Sequence, residues 1–186
     1  MYKAPAGFFQ KETPAGNPMS ENLIDDMAER AGSLLLDHRL FLVTAESCTG
    51  GALAEIITRI PGSSHWFERG YVTYSNDAKQ ELLRVHPETL ARCGAVSEET
   101  ALAMAEGALA HSHAHISVAI TGIAGPEGGT PEKPVGTVCI AWTGREMTSR
   151  VVRTVFQGDR LQVRHQACLL ALQGLLDLLE AYSQGK

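Results

Sequence analysis

A hydroxyl and a thiol stand side by side at Ser47 and Cys48, inside the run TAESCTGG that closes the apolar stretch Leu40-Phe41-Leu42-Val43. A glycine pair, Gly50-Gly51, and then a helical pattern follow, so the run reads as a strand-to-helix corner carrying a nucleophile. Glycines let the main chain approach a ligand closely, and the free N–H groups of a helix start can hold a developing oxyanion. A serine ahead of a helix is also an ordinary N-cap, so both readings of Ser47 stand on this run alone. Cys48 is a rival nucleophile, since a thiolate at a helix N-terminus is activated. Such a cysteine usually also wants a histidine or acidic partner, which the sequence does not place.

A nucleophile needs a base. The segment YSNDAK provides a candidate: Ser75 or Asn76 caps a new helix, which puts Lys79 in its first turn, at the positive end of the helix dipole. That position and any burial lower a lysine pKa toward the neutral amine that a general base requires. An exposed lysine that snorkels away from the helix start is the alternative. Tyr74, five residues earlier, can relay the proton or orient the amine, or simply be a half-buried strand aromatic. The alternating histidines of HSHAH, His111, His113 and His115, do not fix a coordination geometry, and no matching ligand set appears elsewhere.

The elements that would position these residues alternate strand and helix. A helix from Ser20, with Leu23, Met27, Ala31, Leu34 and His38 at helical spacing, delivers the chain to a strand over 40–45. A helix over 52–60 ends at Pro61-Gly62, and a strand over 66–74 carries Gly70 as a candidate bulge. Helical pieces over 87–92 and from Ser97 to about 111 precede a buried strand at 116–121. The irregular stretch 122–136 is too long for a mere connection and reads as a functional loop. Strands at 137–142 and 147–156 form a hairpin about Thr143-Gly144-Arg145, and Asp159 caps a last helix with packed leucines over 161–179. The expected fold class is α/β: a three-layer α/β/α sandwich with a mixed, mostly parallel sheet and one late β-hairpin. TAESCTGG, YSNDAK, TGIAGP and FQGDR all fall at strand ends, where such sheets gather their sites.

With 186 residues, 44% of them apolar, the chain suits one core and a single domain over 19–183. Residues 1–18, rich in proline and glycine, read as a flexible extension in which Phe8-Phe9 could cover a partner subunit. A net charge of −5 argues against a broad nucleic-acid surface. Four dispersed cysteines and no membrane-length apolar run suit a reduced, cytoplasmic protein with no membrane association. Against the acidic average, Arg145, Arg150, Arg153, Arg160 and Arg164 cluster in sequence. Arg160, at a helix start after Gly158, suits a phosphate, while solvated arginines on a hairpin remain the alternative.

These segments together resemble the CinA C-terminal domain family, to which stand-alone nicotinamide-nucleotide amidases belong. AESCTGG, WFERGYVTYSNDAK, GAVSEET, TGIAGPEGG, EKPVGTV and FQGDR carry the resemblance, over roughly 20–182. It implies an α/β/α domain that hydrolyses the carboxamide of nicotinamide mononucleotide to nicotinate mononucleotide and ammonia, without a metal or other cofactor, in an enzyme commonly homo-oligomeric, a dimer or higher. Ser47 would be the nucleophile, Lys79 the general base and Tyr74 a helper in proton transfer. The amides of Thr49, Gly50 and Gly51 would cradle oxyanion and substrate. Thr121, Gly122 and Gly125 would shape the nucleotide pocket, with Asn76 and Arg160 among the substrate-binding residues. Two other readings stay open: an amidase acting on another phosphorylated metabolite, and a non-catalytic nucleotide-binding or regulatory module.

Overall fold

A computed structural model describes residues 18–184, with side chains from 23 onward. The expected extension over 1–18, with Phe8-Phe9, therefore lies outside the described residues apart from Pro18. Five strands, β1 (Leu42–Glu46), β2 (Phe67–Val72), β3 (Ile116–Gly122), β4 (Thr137–Gly144) and β5 (Met147–Val155), form one sheet in the order β2-β1-β3-β4-β5. β1 lies parallel to both β2 and β3, and β4 runs antiparallel to β3 and to β5. Four strands thus share one direction and β4 opposes them. The carboxyl ends of β1, β2 and β3 open on the same edge.

Helices cover both faces. On one side α1 (Pro18–Asp37), α2 (Ala52–Arg59) and α6 (Arg160–Gln184) pack on Leu42, Ile116, Val118, Ile120, Val138, Ile140 and Trp142. On the other, α5 (Glu98–Ala110), with α3 (Asn76–Leu83) and α4 (Pro87–Cys93), packs on Val43, Ala45, Ala119, Cys139 and Ala141. The second face is built from small residues matched by Ala101, Ala105 and Ala108 of α5, so that helix lies close to the sheet. The strands direct alternate residues into two different cores, and β1, β3 and β4 are accordingly buried along almost their whole length.

Several local expectations shift. α1 is already helical at Pro18, so Ser20 lies within it and is not its first residue, and its buried stripe is Ile24, Ala28, Ala31 and Leu35, with Leu23 53% exposed. The small residues set that phase, since a Cβ on Gly32 would meet the Trp66 ring at 2.7 Å. The β1/β2 irregularity falls at Glu68, not Gly70: Leu42 pairs with Phe67 and Val43 with Arg69. Gly70 instead gives α2 room, its would-be Cβ lying 2.9 Å from Thr44 Oγ1 and 3.1 Å from Ala54 Cβ. The hairpin turns at Arg145-Glu146, with Glu146 at φ 64°, because Gly144 still pairs with Met147 and Thr143 hydrogen-bonds Ser149 across the strands.

Candidate active site

Ser47 directly follows β1, and its N–H donates to the Ile120 carbonyl of β3 at 2.9 Å, which locks the corner to the sheet. The chain then doubles back through Gly50 (φ 62°) and Gly51 (φ 94°), left-handed angles that side-chain-bearing residues rarely adopt. Beyond the end of β2, Ser75 caps α3 by accepting from the Ala78 N–H at 3.0 Å. That cap turns Lys79 inward, to 1% exposure. Its Nζ reaches Ser47 Oγ at 3.1 Å, the Thr73 carbonyl at 2.9 Å and the Tyr74 carbonyl at 3.5 Å. Burial holds the Lys79 pKa below its ordinary value, opposed only by the Cys48 thiol. Cys48 is itself pushed up to about 12, chiefly by burial. At neutral pH the thiol is uncharged, so this opposition vanishes, and the amine has no ion-pair partner among the described residues.

The strand-end segments gather around a cavity of about 270 Å³. Ser47, Tyr74, Lys79, Thr121, Gly122, Gly125, Glu127 and Arg160 are among its walls. Thr121 is fixed by donating to the Ala95 carbonyl at 2.7 Å, and Gly122 leaves no room for a Cβ, which would meet the Thr137 carbonyl at 2.8 Å. Arg160, the first residue of α6, donates to the Gly125 carbonyl at 2.8 Å and to the Tyr74 hydroxyl at 2.9 Å. It thereby ties the TGIAGP loop to the end of β2 across the cavity mouth. Asp159 caps that helix, accepting from the Gln162 N–H at 2.9 Å.

Other residues of interest are placed differently. Tyr74 is 59% exposed, and its hydroxyl is engaged by Arg160 rather than by the serine or the lysine. The Gly50 N–H donates to the Ser47 carbonyl at 3.0 Å and the Gly51 N–H to the Glu46 carboxylate at 3.0 Å, so neither is free for a ligand. The Thr49 N–H donates to no protein acceptor among the described residues. Thr49 itself is buried, and its carbonyl accepts from Arg164 Nη2 at 2.6 Å and Nε at 3.2 Å. Asn76 is the exposed first residue of α3 and is not part of the cavity wall. Glu46 and Arg164 hold the corner from two sides; the sequence marks them only as a member of the TAESCTGG run and as one of the clustered arginines, and does not single out either for this role.

The arginines that cluster in sequence do not form one basic surface. Arg145 donates to the Ala114, Leu109 and Ser112 carbonyls near the end of α5. Arg150 pairs with Asp177 and lies over Trp142, and Arg153 donates to the Glu132 carbonyl. His111 and His115 bond to the main chain at Gly107 and Phe41, the latter at the amino end of β1, away from Ser47. Among the described residues no three potential metal ligands converge. A groove of about 410 Å³ between β5 and α6 is larger than the strand-end cavity but contains no nucleophile with a base.

A cleft at the carboxyl ends of parallel strands, with a buried amine against a hydroxyl on its floor, is the arrangement of an α/β protein that processes small molecules. The chain belongs to the CinA C-terminal domain family, whose profile matches residues 24–179. It is 51% identical to the "Nicotinamide-nucleotide amidohydrolase PncC" of Pseudomonas putida over 156 residues, 83% of this chain and 96% of that protein. Its identity to the Escherichia coli K12 protein of the same name is 49% over 157 residues, 84% of this chain and 95% of the relative. The fold matches a crystal structure of the competence/damage inducible protein CihA from Agrobacterium tumefaciens with a TM-score of 0.82 and 45% identity, covering 83% of this chain and 94% of that one. No helix among the described residues is long and apolar enough to cross a membrane.

Proposed function

We propose that this chain is an amidohydrolase that converts nicotinamide mononucleotide to nicotinate mononucleotide and ammonia through an acyl-enzyme on Ser47, within pyridine nucleotide recycling. The single observation that carries the reading is the contact of a fully buried, uncompensated Lys79 amine with Ser47 Oγ at 3.1 Å. A neutral amine has two N–H donors and one lone pair. With two carbonyls, Thr73 and Tyr74, taking the donors, the lone pair is left to face the serine hydroxyl. The relatives named as nicotinamide-nucleotide amidohydrolases support the choice of substrate.

In this mechanism Lys79 accepts the Ser47 proton while Oγ attacks the carboxamide carbon. The oxyanion develops against the Ser47–Cys48 turn in the cavity wall, and not against the Gly50 and Gly51 amides, which are already bonded. Lys79 returns the proton to the amide nitrogen, the C–N bond breaks and ammonia leaves. Water then attacks the ester, with Lys79 again taking and returning the proton, and frees the carboxylate product and Ser47. The cavity falls near the lower end of ordinary ligand pockets, about 300 Å³, so it takes the pyridine carboxamide and leaves the phosphate toward the Arg160 mouth. Tyr74 orients Arg160 there and, through its carbonyl, the lysine.

The reading assigns the reaction to one domain over 19–183. It places that domain in the cytoplasm, where the four unpaired cysteines stay reduced, and expects a homo-oligomer. Ammonia release from nicotinamide mononucleotide by purified protein is the deciding assay. Ser47→Ala should abolish it, and a Ser47→Ala protein that still turns over at the wild-type rate ends the proposal.

A further inference from the structure

Helix α2 begins with unmet donors, because its N-cap is Gly51, which has no side chain to offer them. A residue on the far side of the corner fills the gap. Glu46, the last residue of β1, is wholly buried, and its Oε2 accepts from the N–H groups of Gly51 at 3.0 Å and Leu53 at 3.1 Å. Oε1 accepts from the Ala54 N–H at 2.9 Å. Both oxygens thus accept from main-chain donors at a helix start, a place that favours an acidic side chain. These bonds close a ring from residue 46 to residue 54, and Ser47 is the first residue inside it.

The main chain of Glu46 acts on the other half of the pair. Its carbonyl accepts from the Thr73 N–H at 2.8 Å, and the Thr73 carbonyl in turn accepts from Lys79 Nζ at 2.9 Å. Glu46 therefore stands at the junction of two short bonded paths, one ending on the nucleophile and one on the base.

We propose that Glu46 is a positioning residue that couples the two halves of the Ser47–Lys79 pair, its carboxylate holding the nucleophile turn and its carbonyl holding the strand end that aims the lysine. The inference rests on the amidase reading above. A serine or aspartate at position 51 would cap the helix locally and would tie nothing to the Ser47 corner. The corner needs glycine there for its left-handed angle, so the acceptor must come from across the turn.

Glu46→Gln keeps the shape but sets an amide NH2 against at least one of the three N–H donors. The expected result is a kcat lower by about tenfold to a hundredfold with KM for nicotinamide mononucleotide changed by less than about threefold, as displacement of an attacking atom predicts. The rate at which a fluorophosphonate probe labels Ser47, read by intact mass, should fall in parallel. A helix cap without a positioning role predicts a lower melting temperature but wild-type kcat and labelling per folded molecule, and that result overturns the proposal. If Glu46→Gln does not fold, Glu46→Asp carries the test: it keeps the charge one methylene short of the amides and should show the same kcat-selective loss. Glu55→Gln, on the exposed first turn of α2, is the control and should change neither. A wild-type protein that labels at Ser47 but releases no ammonia sinks the amidase reading and leaves the labelling test of Glu46 in force. One that does neither overturns both.

Discussion

Replacing Lys79 by methionine keeps a four-atom unbranched stem and removes the terminal nitrogen. Three partners lose a contact: Ser47 Oγ, the Thr73 carbonyl and, at the longer distance, the Tyr74 carbonyl. An unpaired buried acceptor costs about 1–3 kcal/mol, whereas the lost amine no longer has to be kept out of water, and these effects oppose each other. Stability near neutral pH should therefore move little. Activity should not: a positioned general base contributes about 10²–10⁴-fold, and kcat should fall by that range with KM nearly unchanged.

The pH dependence sharpens the test. Burial lowers the folded-state pKa of Lys79 below the ordinary 10.5 of the unfolded chain. The neutral amine is the active form, so kcat/KM should fall as pH drops through the lowered pKa. For stability, both states hold the proton at low pH and the folded state bears the full burial cost. Between the lowered pKa and 10.5 the unfolded chain binds the proton that the folded one has released, so stability rises with pH across that window. Methionine should flatten both profiles. The assays are coupled-enzyme detection of ammonia from pH 5 to 11 and urea unfolding over the same range. A Lys79→Met enzyme with more than a tenth of wild-type kcat, or an acid limb that survives the substitution, refutes the assignment of the base.

Other consequences test other parts of the molecule. Arg160→Ala removes the link between the Gly125 carbonyl and the Tyr74 hydroxyl, and should raise KM for the nucleotide by about tenfold while leaving the corresponding nucleoside little affected. Equal losses for nucleotide and nucleoside would reassign Arg160 to holding the loops. Gly107→Ala, inside α5, would ordinarily gain about 1 kcal/mol of helix propensity. Here the added Cβ runs into the Leu83 carbonyl, its carbon 2.8 Å away, so urea unfolding should show a loss of about 1–3 kcal/mol. An unchanged or higher urea midpoint would mean that α3 and α5 can separate freely.

Much of the architecture is legible in the chain because it follows from local chemistry. Apolar runs bounded by glycine, proline and capping residues give the order of strands and helices, and Ser75, Ser97 and Asp159 occupy caps in the folded protein. The glycine pair at 50–51 and the placement of Lys79 early in α3 follow from the same rules, as does the gathering of TAESCTGG, YSNDAK, TGIAGP and Arg160 on one rim, once the strands are aligned.

What depends on distant contacts is decided only by the tertiary structure. The buried stripe of α1 is one residue out of phase with its largest side chains, because small residues at 28, 31 and 32 let neighbouring elements come close. Gly70 looks like a bulge in its own strand, yet it is small for the sake of Thr44 and Ala54. Five arginines close in sequence point to five different sets of acceptors, since adjacent positions on a strand or helix face different neighbours. The Ser47–Lys79 contact spans 32 residues, and Glu46 reaches forward over the corner to the helix beyond it. Sequence can mark a residue as able to hold or donate a proton. Which groups it meets, and whether water is excluded around them, is set by the packing of strands and helices that are far apart along the chain.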